Sequence, residues 1–296
     1  MGKDLYDAFP TARGLFGRAE IATGLPLKDL CFEGPEDELA RTDISQPAIF
    51  TVSAAALACM RDFLGPEAQP KPSAVAGLSL GEYVAFYAAG AMDFDTGVRL
   101  VARRGQVMQE AATAVPSGMV SVLGLDEQKA LDLCRAAAQG QVLSCANFNC
   151  PGQIVLSGET DACRRAAEMA EDFGAAAAIP LKVAGAFHCE IMRPAAEKLA
   201  SALDEVAFTR PSVSVICNTD AAPCADGDEI RPKLLAQLVS PIRWQQSMEH
   251  LLAEGFERFY EIGPGRVLAG LMKRIRRRVA ITSVNCRAAV EKLALP

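Results

Sequence analysis

The order of strand-like and helix-like segments in the middle of the chain constrains the fold most strongly. Four short strand-like stretches alternate there with two helical stretches. In chain order these are a strand at 119–123, a helix at 126–138, strands at 142–147 and 153–157, a helix at 161–173 and a strand at 177–181. The order strand–helix–strand–strand–helix–strand is that of a split ferredoxin-like unit. We therefore predict a small α+β subdomain over residues 115–185.

The segments on either side of this unit alternate strands with helices. Before the unit, the sequence predicts helices at 4–20, 47–64, 82–90 and 93–112, with a short strand at 73–76. After it, helices alternate with strands at 213–217, 258–262 and 279–283. This alternation favours an α/β fold with a mainly parallel sheet. We predict that residues 1–114 and 186–296 form one large α/β domain, which the small subdomain interrupts.

Composition excludes several classes of function. The 296 residues carry a net charge of −6, whereas a general nucleic-acid-binding domain would be basic. The ten cysteines include no C-x-x-C pair, so we predict no metal site, and nothing in the sequence calls for a cofactor. No signal peptide is visible at the N-terminus. The longest apolar run, residues 48–60, is shorter than a membrane span of about 20 residues. We expect a cytoplasmic protein that does not bind a membrane.

The pentapeptide Gly77-Leu78-Ser79-Leu80-Gly81 follows the predicted strand at 73–76 and precedes the predicted helix at 82–90. A G-x-S-x-G sequence between a strand and a helix is typical of the nucleophile elbow of hydrolase-like α/β proteins. There the amide of the residue after the serine, here Leu80, can donate to a developing oxyanion. The alternative is an ordinary turn between a strand and a helix.

A serine nucleophile needs a base, and the chain has only two histidines. His250 lies opposite the apolar stripe of its predicted helix, which favours a solvated position. His188 follows the last strand of the predicted subdomain and lies 109 residues after Ser79. By elimination His188 is the candidate base. No carboxylate is evidently placed to orient it, so a Ser–His dyad and a full triad both remain open.

Several motifs together resemble the malonyl-CoA:acyl-carrier-protein transacylases. They are Gly77-Leu78-Ser79-Leu80-Gly81-Glu82-Tyr83, Arg103–Ala111, Ala146–Gly158, the Gly185-Ala186-Phe187-His188 segment and Phe259–Gly265. The resemblance runs nearly from end to end. It implies a ping-pong reaction that uses malonyl-CoA and acyl carrier protein as partners, in a monomeric protein without a cofactor.

The resemblance also implies roles for individual residues. Ser79 would be the acylated nucleophile, His188 the general base, and Gln237 the residue whose backbone carbonyl orients that histidine. Arg104 would hold the malonyl carboxylate, because a guanidinium pairs with a carboxylate through two parallel hydrogen bonds. Without the resemblance, Arg104 would be interpreted as one more cation on a solvated helix.

Further residues have implied roles around the acyl group and the carrier protein. Phe187 resembles the form associated with malonyl rather than methyl-branched substrates, and Asn147 and Met119 resemble pocket residues. Carrier proteins are acidic, so a basic cluster near the C-terminus could receive one. Its members are Lys273, Arg274, Arg276, Arg277 and Arg278. The alternative is a solvated helix end whose cations interact with the helix dipole.

The chain departs from the family pattern at two places. Leu78 stands where the family usually has histidine, a change that should leave the nucleophile intact. The family also begins with an apolar strand and a Gly-Gln-Gly-x-Gln loop that would lie just upstream of Met1. We expect either a start codon further upstream or a shortened, impaired paralogue.

Two other functions stay open at this point. A serine hydrolase or thioesterase would use Ser79 and His188 but would not need Arg104. An inactive module that binds carrier protein would need none of the three.

Overall fold

The computed structural model describes residues 1–68 and 70–293. Its helices are α1 Lys3–Ala8, α2 Pro10–Thr23, α3 Leu27–Glu33, α4 Glu36–Leu39, α5 Thr42–Ala68, α6 Leu80–Ala88, α7 Phe94–Ala114, α8 Glu127–Ala138, α9 Thr160–Met169, α10 Arg193–Asp204, α11 Gly227–Val239, α12 Trp244–Ala253, α13 Val267–Ile275 and α14 Arg287–Lys292. Its strands are β1 Ala74–Ala76, β2 Ser117–Leu123, β3 Leu143–Cys150, β4 Gln153–Glu159, β5 Ala177–Pro180, β6 Ser214–Ile216, β7 Pro223–Cys224, β8 Arg258–Ile262 and β9 Ala280–Val284. Short 3₁₀ helices cover Ala170–Phe173 and Glu190–Met192.

Strands β2 to β5 form an antiparallel sheet in the order β3-β4-β2-β5. This order, with α8 and α9 on one face, confirms the predicted ferredoxin-like arrangement. Strand residues alternate between the two faces of a sheet. Val120 and Val122 therefore pack under the helices with Leu156, while Met119 and Val155 lie on the opposite face.

The remaining strands form an α/β body whose sheet is in two pieces. β1 pairs with β6 in parallel, with Val75 opposite Val215, and β6 pairs antiparallel with β7. β8 and β9 form a separate parallel pair. Residues of both pieces, among them Ala76 and Phe259, contact the same apolar cluster around Trp244 and Met248. The prediction of a mainly parallel α/β body is confirmed, with β7 as an antiparallel addition.

Helix α5 forms the centre of the body and packs against α2 and α7. Most of its residues from Ile44 to Met60 are buried, which explains why this part of the helix lacks the polar face of a surface helix. The predicted helix at 47–64 was too short at its start, since α5 begins at Thr42. Its regular part ends where predicted, because Gly65 leaves the helical conformation at φ 68°. Within the described residues α5 alone is long and apolar enough to cross a membrane, but 61% of its apolar window is buried in the protein.

Other differences from the predicted elements are local. The predicted helix at 4–20 is two helices, because Phe9 adopts an extended conformation before Pro10. The helices α3, α4 and α14 are each seven residues or fewer, too short to show a helical repeat in the sequence.

The subdomain is attached to the body by backbone hydrogen bonds as well as by the chain itself. Phe148 N–H donates to the Ile242 carbonyl at 2.9 Å, and Ile242 N–H donates to the Ala146 carbonyl at 2.8 Å. The edge strand β3 is thus fixed to the body at Asn147, the residue paired with Ile242.

Candidate active site

Ser79 lies in a sharp turn between β1 and α6 and has φ 52° and ψ −105°. A non-glycine residue rarely adopts a positive φ, so the surrounding structure must hold this conformation. Gly77 permits the turn, because a Cβ there would lie 1.9 Å from the Gly81 carbonyl oxygen. The Asn218 side chain clamps both ends: its Oδ1 accepts from Ser79 N–H and its Nδ2 donates to the Gly77 carbonyl, each at 2.7 Å. The predicted nucleophile elbow is present.

His188 contacts the nucleophile directly. Its Nε2 lies 2.8 Å from Ser79 Oγ, and its Nδ1 lies 2.8 Å from the Gln237 carbonyl oxygen. A carbonyl can only accept, so Nδ1 carries the proton and Nε2 is free to accept the serine proton. Burial, together with the nearby Arg104 cation, lowers the pKa of His188 to about 3, against the effect of the Gln237 hydrogen bond. The imidazole is therefore neutral at physiological pH, as a general base must be.

The segment before His188 is held by serines of the subdomain sheet. Ser117 Oγ accepts from Ala186 N–H at 3.0 Å, and Ser157 Oγ accepts from Phe187 N–H at 2.9 Å. These bonds stabilise the left-handed conformation of His188, whose φ is 57°. The small subdomain therefore positions the histidine of the large body.

Arg104 is buried, with 1% of its surface exposed, and does not lie on a solvated helix face. Its Nη2 donates to Ser79 Oγ at 3.0 Å and to Gln237 Oε1 at 2.8 Å, while Nη1 donates to Gln46 Oε1 at 2.5 Å. Burial lowers the pKa of Arg104, and the neighbouring Tyr83 and Glu82 oppose that shift. The sequence-based alternative of a solvated cation is wrong. A buried guanidinium next to a serine nucleophile is placed to receive a substrate anion.

The part of the site that adjoins Phe187 is apolar. Met119, Ala146 and Val155 form a small buried cluster, and Phe187 packs against it. Asn147 is opposite Val155 of this cluster in the sheet and is buried, with 8% of its surface exposed. The structure thus places the sequence-predicted Phe187, Met119 and Asn147 in one region beside His188.

Leu80 is buried in the core of the body, so only its backbone can take part in chemistry. Its N–H makes no hydrogen bond to any of residues 1–68 or 70–293, although it begins helix α6. A free amide at a helix N-terminus, next to the serine, is suited to stabilise an oxyanion.

Sequence reasoning missed three polar residues of this network, namely Gln46, Glu82 and Asn218. Asn218 could have been found, because it follows β6, which is parallel to and adjacent to β1. Polar residues at the carboxyl ends of neighbouring parallel strands share the same edge of a sheet. Glu82 resembled an ordinary acidic residue in the first turn of a helix. No sequence pattern indicated that Gln46 belongs to the site.

No cluster of three metal-ligating side chains occurs among the residues that the structure describes. All ten cysteines are free thiols, and nine of them are buried.

Comparisons with known proteins agree with this geometry. The acyl transferase domain family matches residues 1–286. A malonyl CoA-acyl carrier protein transacylase from Bacillus subtilis is 41% identical, over 98% of this chain and 90% of its own length. One from Escherichia coli K12 is 40% identical, over 95% of this chain and 90% of its own length.

Solved structures also match over nearly the whole chain. The malonyl CoA-acyl carrier protein transacylase of Coxiella burnetii has a TM-score of 0.94 and 37% identity, covering 99% of this chain and 92% of its own. A malonyl-transacylase in complex with its type II polyketide acyl-carrier protein has a TM-score of 0.92 and 40% identity, covering 99% and 94%. Since the match covers nearly the whole chain, the protein belongs to the acyl transferase family, among the malonyl CoA-acyl carrier protein transacylases.

Proposed function

We propose that the protein transfers a malonyl group from malonyl-CoA to the phosphopantetheine thiol of acyl carrier protein in fatty acid synthesis. One observation carries the proposal: the buried Arg104 guanidinium and the neutral His188 imidazole both contact the same Ser79 oxygen. Ser79 and His188 act as nucleophile and base in acyl transfer. The Arg104 guanidinium binds a carboxylate and so selects an acyl group that ends in one.

In the first half-reaction, Ser79 Oγ attacks the thioester carbonyl of malonyl-CoA and its proton moves to His188 Nε2. The Gln237 carbonyl, bonded to Nδ1, stabilises the imidazolium that forms. The Leu80 N–H donates to the oxyanion. The carbon–sulfur bond then breaks, CoA leaves as its thiol with the proton from His188, and Ser79 carries a malonyl ester.

In the second half-reaction, the thiol of the carrier protein gives its proton to His188 as its sulfur attacks the ester. Ser79 Oγ leaves and takes the proton back, so enzyme, base and nucleophile are restored. Throughout, the malonyl carboxylate pairs with Arg104, whose charge would otherwise stay buried without a counter-ion. We propose that Met119, Asn147 and the Phe187 ring limit the volume available next to the acyl chain, since Phe187 packs against Met119 and Asn147 is opposite Val155 of the same cluster.

We propose that the carrier protein docks on the basic cluster at the end of α13. Its five cations, Lys273, Arg274, Arg276, Arg277 and Arg278, are all exposed. Arg274 donates to Gln153 Oε1 at 3.2 Å, so the cluster lies against the turn between β3 and β4 of the subdomain. Complementary charge speeds and orients the encounter with an acidic partner. The protein would act as a cytoplasmic monomer without a metal or cofactor.

The division of the body sheet supports a proposal about the family's first strand and its Gly-Gln-Gly-x-Gln loop. β1 and β8 contact one apolar cluster, yet no ladder joins them in the described chain. All three residues of β1 are only half-buried, which is unusual for a strand that leads to a nucleophile. We propose that the gap between β1 and β8 is the place where the first strand of the family would pair.

Mass spectrometry of the intact protein tests the function. After incubation with malonyl-CoA, we expect a malonyl adduct on Ser79 that moves to holo carrier protein when it is added. Release of free malonate without transfer would instead indicate a hydrolase or thioesterase. A folded protein that forms no adduct would indicate a carrier-binding module without activity.

A further inference from the structure

Behind the nucleophile lies a buried carboxylate that the proposed reaction does not use. Glu82 is in the first turn of α6 and has 1% of its surface exposed. Its Oε1 accepts from Asn218 N–H at 2.8 Å, and its Oε2 accepts from Gln237 Nε2. No cation among residues 1–68 and 70–293 forms an ion pair with it.

A buried carboxylate that is held by amides and the Cys217 thiol, without an ion pair, is costly to the fold. Burial raises the pKa of Glu82 to about 7, although the Asn218 and Gln237 hydrogen bonds and the Arg104 charge act in the opposite direction. Replacing buried charges with apolar side chains of similar volume often stabilises a protein. A group that is unfavourable for stability and adjoins a nucleophile is therefore a candidate for a functional role.

In its ionised form, which predominates above pH 7, the carboxylate has one property that an amide lacks, because both of its oxygens can only accept hydrogen bonds. It therefore attracts the NH₂ end of the Gln237 amide, which also donates to the Ser79 carbonyl at 2.9 Å. The other end of the amide, Oε1, must then face Arg104 Nη2, which donates to it at 2.8 Å. The opposite orientation would place carbonyl oxygen against carboxylate and NH₂ against guanidinium, and both contacts would be repulsive.

We propose that Glu82 is a positioning residue for Arg104. Its carboxylate fixes the orientation of the Gln237 amide, and that amide holds the guanidinium beside Ser79 Oγ, where the substrate carboxylate binds. The inference rests on the proposed function, since it assigns Glu82 a part in the preference for malonyl over acetyl groups. It acts on the substrate only through Gln237 and Arg104.

The variant Glu82→Gln tests this role with almost no change in volume. The backbone N–H of Asn218 cannot turn, so the new side chain must face it with its oxygen and present NH₂ to Gln237. Gln237 Nε2 then meets a donor where it met an acceptor, so the amide either turns, at the loss of its bond to the Ser79 carbonyl, or moves away, and in both cases it holds Arg104 less firmly. Single-turnover acylation of Ser79 is measured with malonyl-CoA and with acetyl-CoA, and the ratio of the two rates is compared with that of the wild type.

We expect E82Q to lower the malonyl-to-acetyl ratio on the order of 10-fold, since it removes an acceptor for a charged donor. Gln237→Met keeps the backbone carbonyl for His188 but lacks the amide, and it should lower the ratio similarly. The malonyl-to-acetyl ratio of the double variant should be no lower than that of the more affected single variant, because both changes interrupt the same chain of contacts from Glu82 through Gln237 to Arg104. The matched control is Glu261→Gln: Glu261 is also buried, and it accepts from Leu268 N–H and Ser283 Oγ, outside this network. Its ratio should equal that of the wild type.

The role of Glu82 would be overturned if E82Q lost malonyl and acetyl acylation rates equally, or if its malonyl-to-acetyl ratio were unchanged. It would also be overturned if the losses of this ratio in the two single variants multiplied in the double variant. If E82Q does not fold, a wild-type ratio in Q237M overturns it instead. Arg104→Ala is measured in parallel. The proposed function itself would be refuted if the wild type showed no preference for malonyl-CoA over acetyl-CoA, or if R104A kept that preference. The role of Glu82 alone would be refuted if R104A lowered the malonyl-to-acetyl ratio while E82Q and Q237M left it unchanged.

Discussion

The two sides of the active site are built on different principles. On the side of the body, Ser79, Arg104, His188 and Gln237 are held by hydrogen bonds of 2.5–3.0 Å. On the side of the subdomain, Met119, Ala146 and Val155 form an apolar surface against which Phe187 packs. Hydrogen bonds fix individual atoms, whereas apolar contacts fix mainly a volume. We therefore expect substitutions on the polar side to change rates, and substitutions on the apolar side to change selectivity.

The two sides meet at the pair Phe187 and His188. The Phe187 ring belongs to the apolar surface, while its N–H is bound by Ser157 of the subdomain. The next residue is the base, in a left-handed conformation like that of Ser79. Conformations of this kind cost roughly 1–3 kcal/mol each and persist only where the surrounding structure holds them. The catalytic pair is therefore held from both sides, and the following predictions separate their contributions.

The largest effect is expected for His188→Ala. Loss of a positioned general base should slow malonylation of Ser79 by about 10²–10⁴-fold. The rate of adduct formation, followed by mass spectrometry, gives the measurement. His250→Ala is the matched control, because the second histidine is half-buried on α12, and its rate should equal that of the wild type. A similar loss in both variants would remove His188 from its assigned role.

The pH dependence of the same reaction follows from the lowered pKa of His188. With a pKa of about 3, the imidazole is neutral over the whole range from pH 8 to pH 5, so kcat/KM should show no acid limb near pH 6.5 from this group.

In the unfolded chain the histidine binds a proton below about pH 6.5, so the fold loses stability as the pH falls from there toward 3. The unfolding free energy of the wild type should therefore fall relative to that of His188→Ala over that interval. An acid limb near 6.5 that His188→Ala removes would contradict the buried, neutral base.

A smaller and selective effect is expected for Arg104→Lys. A lysine cannot contact Gln46, Gln237 and Ser79 at once, as the planar guanidinium does. Loss of charged hydrogen bonds of roughly 1.5–3 kcal/mol should lower the malonyl rate by about 10-fold or more, and the acetyl rate much less. The exposed Arg103, the preceding residue on α7, provides the control as Arg103→Lys. Equal losses with malonyl-CoA and acetyl-CoA would show that Arg104 serves the fold rather than the substrate.

The same contrast explains what the sequence could predict. The ferredoxin-like order and the nucleophile turn followed from local patterns, because strand order and glycine spacing can be recognised in short stretches of sequence, and His188 followed by elimination, because the chain has only two histidines. The network around Gln237 joins residues as far apart as Glu82, Arg104 and Asn218, and no local pattern connects them. Arg104 shows this most clearly: its helix position indicated a solvated cation, and only the resemblance to the family indicated a substrate-binding residue.

The smallest effect is expected for Phe187→Ala, which opens the apolar side without removing a hydrogen bond. The Phe187 N–H would still donate to Ser157 Oγ, so His188 should stay in place and the malonyl rate should change by less than about 3-fold. The freed volume should admit an α-methyl group, and the rate with methylmalonyl-CoA should rise by up to about 10-fold relative to malonyl-CoA. The ratio of the two acylation rates gives the measurement, with Phe63→Ala, a 40% exposed phenylalanine on α5, as control. If Phe187→Ala instead slowed malonylation as much as His188→Ala, the ring would act by positioning the base, and the two sides of the site would not be separable.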